Sequence, residues 1–335
     1  MTPAWKSAFA GGSEISRLGF GCAAVGGRVS RRDSLAAMGV AFDAGVNFFD
    51  SARSYGFGQS EAIVGEFLRG RPRSSVVVCT KFGILPAQQA GWKQRLRPAA
   101  RTVLRLFPGL RKAAQRQIGD QFVGGQFSVA TLEASLGQSL RELGTDYVDM
   151  LLMHAAPRSV LEQEDLLEAM GRVVESGKAR VAGISGELPV MEEVFSRRPA
   201  GLRTAQFTLN LSNIEFAEQT RGNADLLLVG NQPFGGVGGA EAVRATIRGL
   251  RVWEGLPEGV RERLDVGDSQ LVPELVLNCI LQGTGLTATV AAMMQPRHIE
   301  SNVRALRECR FSVEELGLIR EQIVGMGAAA GTAGC

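Results

Sequence analysis

The sequence predicts an α/β fold, a (β/α)8 TIM barrel carrying a long basic insertion after the third barrel strand. Three observations point there. Eight short apolar runs, each able to form a strand, alternate with helix-like segments along 335 residues. The runs are continuously apolar rather than alternating, as parallel strands covered on both faces are. No linker-like composition divides the chain, so residues 1–335 read as one barrel domain, with the insertion at about 84–127 and a flexible Gly-rich tail at about 327–335.

The elements follow in order. "SRLGFG" is the first strand. "SLAAMGVAF" then places Leu35, Met38 and Phe42 on one helical face, and Gly45 ends that helix before the strand "VNFFD". "EAIVGEFL" is a helix with Ile63, Val64, Phe67 and Leu68 on one side, followed by the strand "SVVVCTK". Beyond the insertion, Ser128 is placed to cap "VATLEASLGQSLREL", whose Leu132, Leu136, Leu140 and Leu143 face inward, and "DYVDMLLMH" is the fourth strand. A helix near 160–176, the strand "KARVAGIS", a helix near 189–197 and the strand "RTAQFTL" continue the alternation. A short helix near 214–221, the strand "ADLLLVG", helices between 240 and 283, the strand "TATVAAM" and helices to about 326 complete it.

Composition excludes several classes. With 45% apolar and 21% charged residues the chain can bury a full core, and a net charge of +3 is too small to imply a nucleic-acid or membrane partner. Five cysteines are scattered without a C-x-x-C pair, which argues against a disulfide framework and against a metal site and suits reduced thiols in the cytoplasm. No apolar run has the length of a signal peptide or of a membrane span.

In a β/α barrel, chemistry gathers at the C-terminal ends of the strands. Asp50 ends "VNFFD", Lys81 ends "SVVVCTK", His154 ends "DMLLMH", and Tyr55 lies in the loop directly after Asp50. The chain uses phenylalanine sixteen times and tyrosine only twice, so the hydroxyl of Tyr55 is a candidate for function. A phenol titrates near pH 10 in water, and a neighbouring ammonium is expected to lower that value. Asp50 can hold Lys81, and His154 can donate to an oxygen bound beside the phenol. The four would form a general acid with an oxyanion partner, suited to a carbonyl. They lack a source of hydride, which implies a cofactor.

These residues resemble the aldo-keto reductases. "GVNFFDSARSYGFGQSEAIVGEFL" is similar to that family's signature, "CTKFG" to its lysine segment, and "SLRELGTDYVDMLLMH" to its helix and strand leading to a histidine. The resemblance covers roughly residues 14–326 apart from the insertion. It places the family's tetrad on Asp50, Tyr55, Lys81 and His154. It implies NADP(H) across the barrel mouth, hydride passing between nicotinamide and a carbonyl carbon, and Tyr55 as general acid/base for a small carbonyl or alcohol substrate.

The resemblance also implies a set of cofactor contacts. Gly21 and Cys22 would lie by the nicotinamide ribose together with Asp50, and Ser185 and Gln206 would hold the carboxamide. The loop Gln232, Pro233, Phe234 and Gly235 would wrap the pyrophosphate, while Gln295, Arg297, His298 and Asn302 would clamp the adenosine phosphate. Arg297 could reach a 2′-phosphate, which favours NADPH over NADH, although Glu300 could accept from a 2′-hydroxyl. The chain departs from the family at Gly186, where an asparagine is usual, and at Asn231, where an aromatic residue is common.

"GFGCAA" (19–24) also satisfies the dinucleotide fingerprint of a Rossmann fold, but loop-like sequence follows it where a helix should begin. The insertion holds eight basic residues between Lys93 and Arg116 and one acid, Asp120. It reads either as a solvated helical flap or as a lid for an anionic or bulky substrate, with Trp92 or Phe107 contacting it, and Phe57, from the loop after Asp50, is a further candidate substrate contact. Other functional readings are a dehydrogenase working oxidatively on a sugar or polyol, a non-catalytic NADP-binding regulatory subunit, and a barrel enzyme using resident NADP in epimerisation or elimination. No motif names the substrate or an oligomeric state.

Overall fold

The computed structural model describes residues 5–86, 122–223, 225–236 and 238–332. Eight parallel strands close into a barrel: β3 (Leu18–Gly21), β4 (Phe48–Asp50), β5 (Val77–Phe82), β8 (Val148–Met153), β9 (Ala179–Ser185), β10 (Thr204–Thr208), β11 (Leu227–Asn231) and β12 (Ala288–Ala291), with β12 pairing back onto β3. All eight are the strands read from the sequence, in the order read.

Residues two apart on a strand point to the same face, and the register makes that visible. Phe48, Val77, Cys79, Met150, Leu152, Val181, Val229, Ala288 and Val290 fill the barrel interior. The residues that follow these inward positions toward the C-terminal ends, Asp50, Lys81 and Ser185 among them, therefore stand at the mouth. A second, larger core lies between the strands and the surrounding helices: α1 (Arg31–Asp43), α2 (Ser60–Leu68), α3 (Val129–Leu143), α4 (Glu164–Glu175), α5 (Leu188–Arg197), α6 (Phe216–Thr220), α7 (Gly239–Arg251), α8 (Glu258–Glu262), α9 (Leu271–Leu281), α10 (Pro296–Arg307) and α11 (Val313–Thr332).

Local chemistry sets the helix starts. Ser30 caps α1 by accepting from the Asp33 amide, and Ser128 caps α3 by accepting from that of Thr131. The fingerprint-like "GFGCAA" leads only into a short 3-10 turn, Cys22–Ala24, and no α-helix begins before Arg31. That excludes a Rossmann turn at this place.

Three features differ from the sequence expectation or extend it. Before the barrel, β1 (Lys6–Ala8) and β2 (Glu14–Ser16) form an antiparallel hairpin whose Ile15, with Phe9 beside it, is buried against the barrel interior. After β5 the chain leaves through β6 (Leu85–Pro86), which pairs antiparallel with β7 (Phe122–Val123), so the two ends of the excursion meet. The last helix continues to Thr332, into the stretch read as a flexible tail, because Ala328–Ala330 are strong helix formers and outweigh the neighbouring glycines. Residues 87–121, which include Trp92, Phe107 and most of the basic insertion, lie outside the described residues. Among the described residues no helix is long and apolar enough to cross a membrane.

Candidate active site

Successive strand ends assemble the site. Lys81 is fully buried, and its ammonium donates to Asp50 Oδ1 at 2.6 Å and to the Ser51 carbonyl at 2.9 Å. Gln206, from the opposite side of the barrel, donates its amide to the same Asp50 oxygen at 3.0 Å. Tyr55 stands above them on a short 3-10 turn, Tyr55–Phe57, with Lys81 Nζ 5.0 Å from its ring centre. His154, just past β8, is anchored by its backbone N–H on the Phe82 carbonyl, and its ring meets Tyr55 edge-on at 5.6 Å. Ser54 Oγ lies 3.5 Å from His154 Nδ1. The structure thus gathers Asp50, Tyr55, Lys81 and His154 in one mouth.

The backbone just after Tyr55 turns sharply. Gly56 is left-handed (φ 59°), and a Cβ there would come within 2.1 Å of the Val25 carbonyl. Phe57 shares the left-handed conformation (φ 59°) and is half-buried, its ring edge close to Gly27.

Burial and charge compete at each group. Burial pushes the Tyr55 phenol up to about 12, and Lys81 offsets only part of that rise. The sequence expectation of a lowered phenol is therefore corrected: desolvation outweighs the ammonium. Burial alone would depress Lys81, but Asp50 and its other neighbours reverse this and hold the ammonium above its ordinary range. Burial, then the charge of Lys81, drives His154 down to about 3, so its imidazole is neutral. The thiols of Cys22 and Cys79 are raised by burial and stay protonated.

The residues marked for a cofactor lie around this mouth. Gly21 ends β3 and Cys22 opens the 3-10 turn after it, Ser185 ends β9, and Gln206 is inside β10. Gly186 spends its N–H on the Gln206 carbonyl, and a Cβ there would sit 3.2 Å from the Ala156 carbonyl, so a larger residue would crowd that turn. Asn231 accepts from Thr208 Oγ1 at 3.0 Å, which makes this side of the mouth polar. After β11, the loop Gln232, Pro233, Phe234 and Gly235 reaches α7 through left-handed Gln232, Gly235, Gly236 and Gly238. A Cβ on Gly239 would lie 1.7 Å from the Phe234 carbonyl oxygen, so only glycine lets the loop fold back against the helix start. Gly235, Gly236 and Gly238 are exposed and α7 starts with no side-chain cap, so backbone here can approach a phosphate closely.

The next strand gives a second anchor. Helix α10 begins at Pro296 with no side-chain cap and no acid in its first turn. Arg297 and His298 are exposed there, Arg297 bonding Gln295 Oε1 at 2.8 Å, while Asn302 is buried one turn further on. Because β11 and β12 are neighbours in the barrel, the two anchors flank the same mouth. This donor set fits a dinucleotide with an additional phosphate.

Sequence reasoning missed Ser54, the amide of Gln206 as a partner for Asp50, and a buried bridge under the Tyr55 loop. Thr80 donates to Glu61, and Glu61 pairs with Arg53. The polar residues "SARS" beside Asp50 carried a signal for these contacts, but hydroxyls in a loop are too common to be singled out. Among the described residues no three His, Cys, Asp or Glu side chains converge as metal ligands.

Known proteins share this arrangement. The sequence profile of the aldo/keto reductase family matches residues 17–220. Probable aldo-keto reductase 1 of Glycine max is 28% identical over 182 residues, a match spanning 53% of this chain and less than half, 43%, of that protein. L-galactose dehydrogenase of Arabidopsis thaliana is 25% identical over 334 residues, covering 93% of this chain and 89% of the other. An aldo/keto reductase from Klebsiella pneumoniae, solved in complex with NADP and acetate, superposes with a TM-score of 0.65 at 21% identity over 95% of each chain, a likeness of fold. With the family profile spanning more than half of its length and a barrel of the same kind beneath it, the chain belongs to the aldo/keto reductase family.

Proposed function

We propose that the protein is an NADP(H)-dependent oxidoreductase that interconverts a carbonyl and an alcohol on a small molecule, with Tyr55 as general acid/base. The observation that carries this reading is the buried Asp50–Lys81 pair beneath the Tyr55 phenol, with neutral His154 beside it. NADP(H), when bound, supplies or accepts the hydride.

The chain's own residues do the rest. Tyr55, raised to about 12, carries its proton throughout the neutral range and is ready to give it to a carbonyl oxygen as negative charge develops there. Lys81 stabilises the phenolate left behind, and Asp50 keeps Lys81 charged and aimed. His154 donates a hydrogen bond to the same substrate oxygen without adding a second cation. Gln206 and Ser185 orient the carboxamide of the cofactor, and the glycine-lined loop from Gln232 to Gly235 holds its pyrophosphate. Arg297, exposed at the start of α10, favours the 2′-phosphorylated cofactor. Phe57, on the rim of the mouth, contacts the substrate. A cytoplasmic setting goes with this reading, since the four described cysteines are unpaired.

The test is turnover followed at 340 nm with NADPH or NADP⁺ against a panel of aldehydes, ketones and sugars, beside Tyr55→Phe. Loss of a Tyr55 hydroxyl used in proton transfer lowers kcat by roughly 10²–10⁴-fold. Cofactor binding without Tyr55-dependent turnover on any compound would overturn the proposal and favour a regulatory or resident-cofactor protein.

A further inference from the structure

Tyr55 and Lys81 hang on different segments, the loop after β4 and the end of β5, so some contact must fix one against the other. One carboxylate joins the two segments. Glu61, in the first turn of α2 and 1% exposed, accepts from Thr80 Oγ1 at 2.6 Å on one oxygen and pairs with Arg53 Nη1 at 2.5 Å on the other. Thr80 is the residue before Lys81, and Arg53 lies two residues before Tyr55. The Arg53 backbone N–H also donates to the Lys81 carbonyl at 3.3 Å. The same Arg53 Nη1 also lies 3.3 Å from Glu142 Oε2 of α3, while the buried Nε of Arg53 has no hydrogen-bond partner. At the start of the loop, Ser51 and Ser60 hydroxyls meet at 3.0 Å.

A buried ion pair is a poor device for stability, because apolar side chains of the same volume avoid its desolvation cost. Its directional bonds suit a different task, holding two segments in one register. We propose that the Thr80–Glu61–Arg53 bridge is a positioning device that sets the separation between the Tyr55 phenol and the Lys81 ammonium. The catalytic consequence rests on the reaction proposed above; the geometric one does not.

Two tyrosines in the chain make the geometry readable without substrate. With 13C at the tyrosine Cζ, the protein gives one signal from Tyr55, assigned by Tyr55→Phe, and one from Tyr147 as internal reference. Thr80→Val, which keeps the volume and removes the donor, and Glu61→Gln, which removes the charge, move the Tyr55 signal and leave that of Tyr147 in place. Thr80→Ser restores it. In turnover, Thr80→Val lowers kcat by roughly tenfold or more while the cofactor KM stays within about twofold, as expected of a misplaced proton donor. Arg53→Lys decides the matter if the other two variants fail to fold. A Tyr55 signal unmoved in the folded variants overturns the proposal, as does a moved signal with unaltered kcat in an active enzyme. If the wild type shows no Tyr55-dependent turnover while the signal responds, the oxidoreductase reading fails and the positioning device stands.

Discussion

Tyr55 and His154 meet ring to edge, yet burial moves their titrations in opposite senses, because it penalises the phenolate in one and the imidazolium in the other. Two pH dependences follow. In the proposed reaction, carbonyl reduction uses protonated Tyr55, which is present throughout pH 5–9, so kcat for reduction should be flat there. Alcohol oxidation needs the phenolate, whose fraction grows about tenfold per pH unit below the phenol's pKa, so kcat for oxidation climbs steadily across the same window. Initial rates measured in both directions check this, and an inflection near pH 6.5 in either that is absent from His154→Gln would show that His154 titrates during catalysis. His154 also bears on stability. Its folded pKa, about 3, lies below the unfolded value of about 6.5. The unfolded chain therefore binds the extra proton as pH falls through 6.5, and stability is lost from there downward, by up to about 3 kcal/mol at pH 4. His154→Gln should flatten that part of a stability profile recorded by urea unfolding. Asp50, Lys81 and His154 were legible in the sequence because each interrupts an apolar run at its C-terminal end. The sense of the Tyr55 shift was not, since it depends on how much water the folded mouth excludes.

The eight strands and most helices were legible as elements because continuous apolar runs such as "VVVCTKF" and period-3.6 patterns such as "LEASLGQSLREL" survive uninterrupted. The N-terminal hairpin was not. Its strands are three residues long, and "KSA" and "EIS" carry no alternation that separates them from loop. The approach to α7 shows the same limit: four left-handed residues between Gln232 and Gly238 announce a tight path, but not which atom crowds which. The structure supplies that atom, the Phe234 carbonyl against Gly239. Gly239→Ala therefore forces the loop off the helix start, and NADP(H) affinity should fall by roughly tenfold or more, the loss of one or two phosphate hydrogen bonds at about 1.5 kcal/mol each. Titration of protein fluorescence with NADPH measures it, and an unchanged Kd would place the pyrophosphate elsewhere.

At the scale of the whole molecule the barrel has a filled floor and a polar mouth. Ile15 is fully buried and Phe9 nearly so, both against the interior residues of the strands. Ile15→Ala should lower the unfolding free energy by about 2–5 kcal/mol. Activity per folded molecule should stay close to wild type, because the hairpin packs at the end away from Tyr55. Denaturant titration read beside specific activity separates the two effects, and a proportionate loss of activity at full folding would mean that floor and mouth are mechanically coupled. The mouth has a different freedom. The two-rung ladder of Leu85–Pro86 with Phe122–Val123 closes the excursion after β5 at its base, whatever lies between. Doubling the length of such a closed loop costs only about 0.6 kcal/mol in chain entropy. Over generations, then, this is where the protein can be rewritten cheaply: a duplicated or recombined segment can replace the old one between the same two rungs while the inherited barrel goes unaltered.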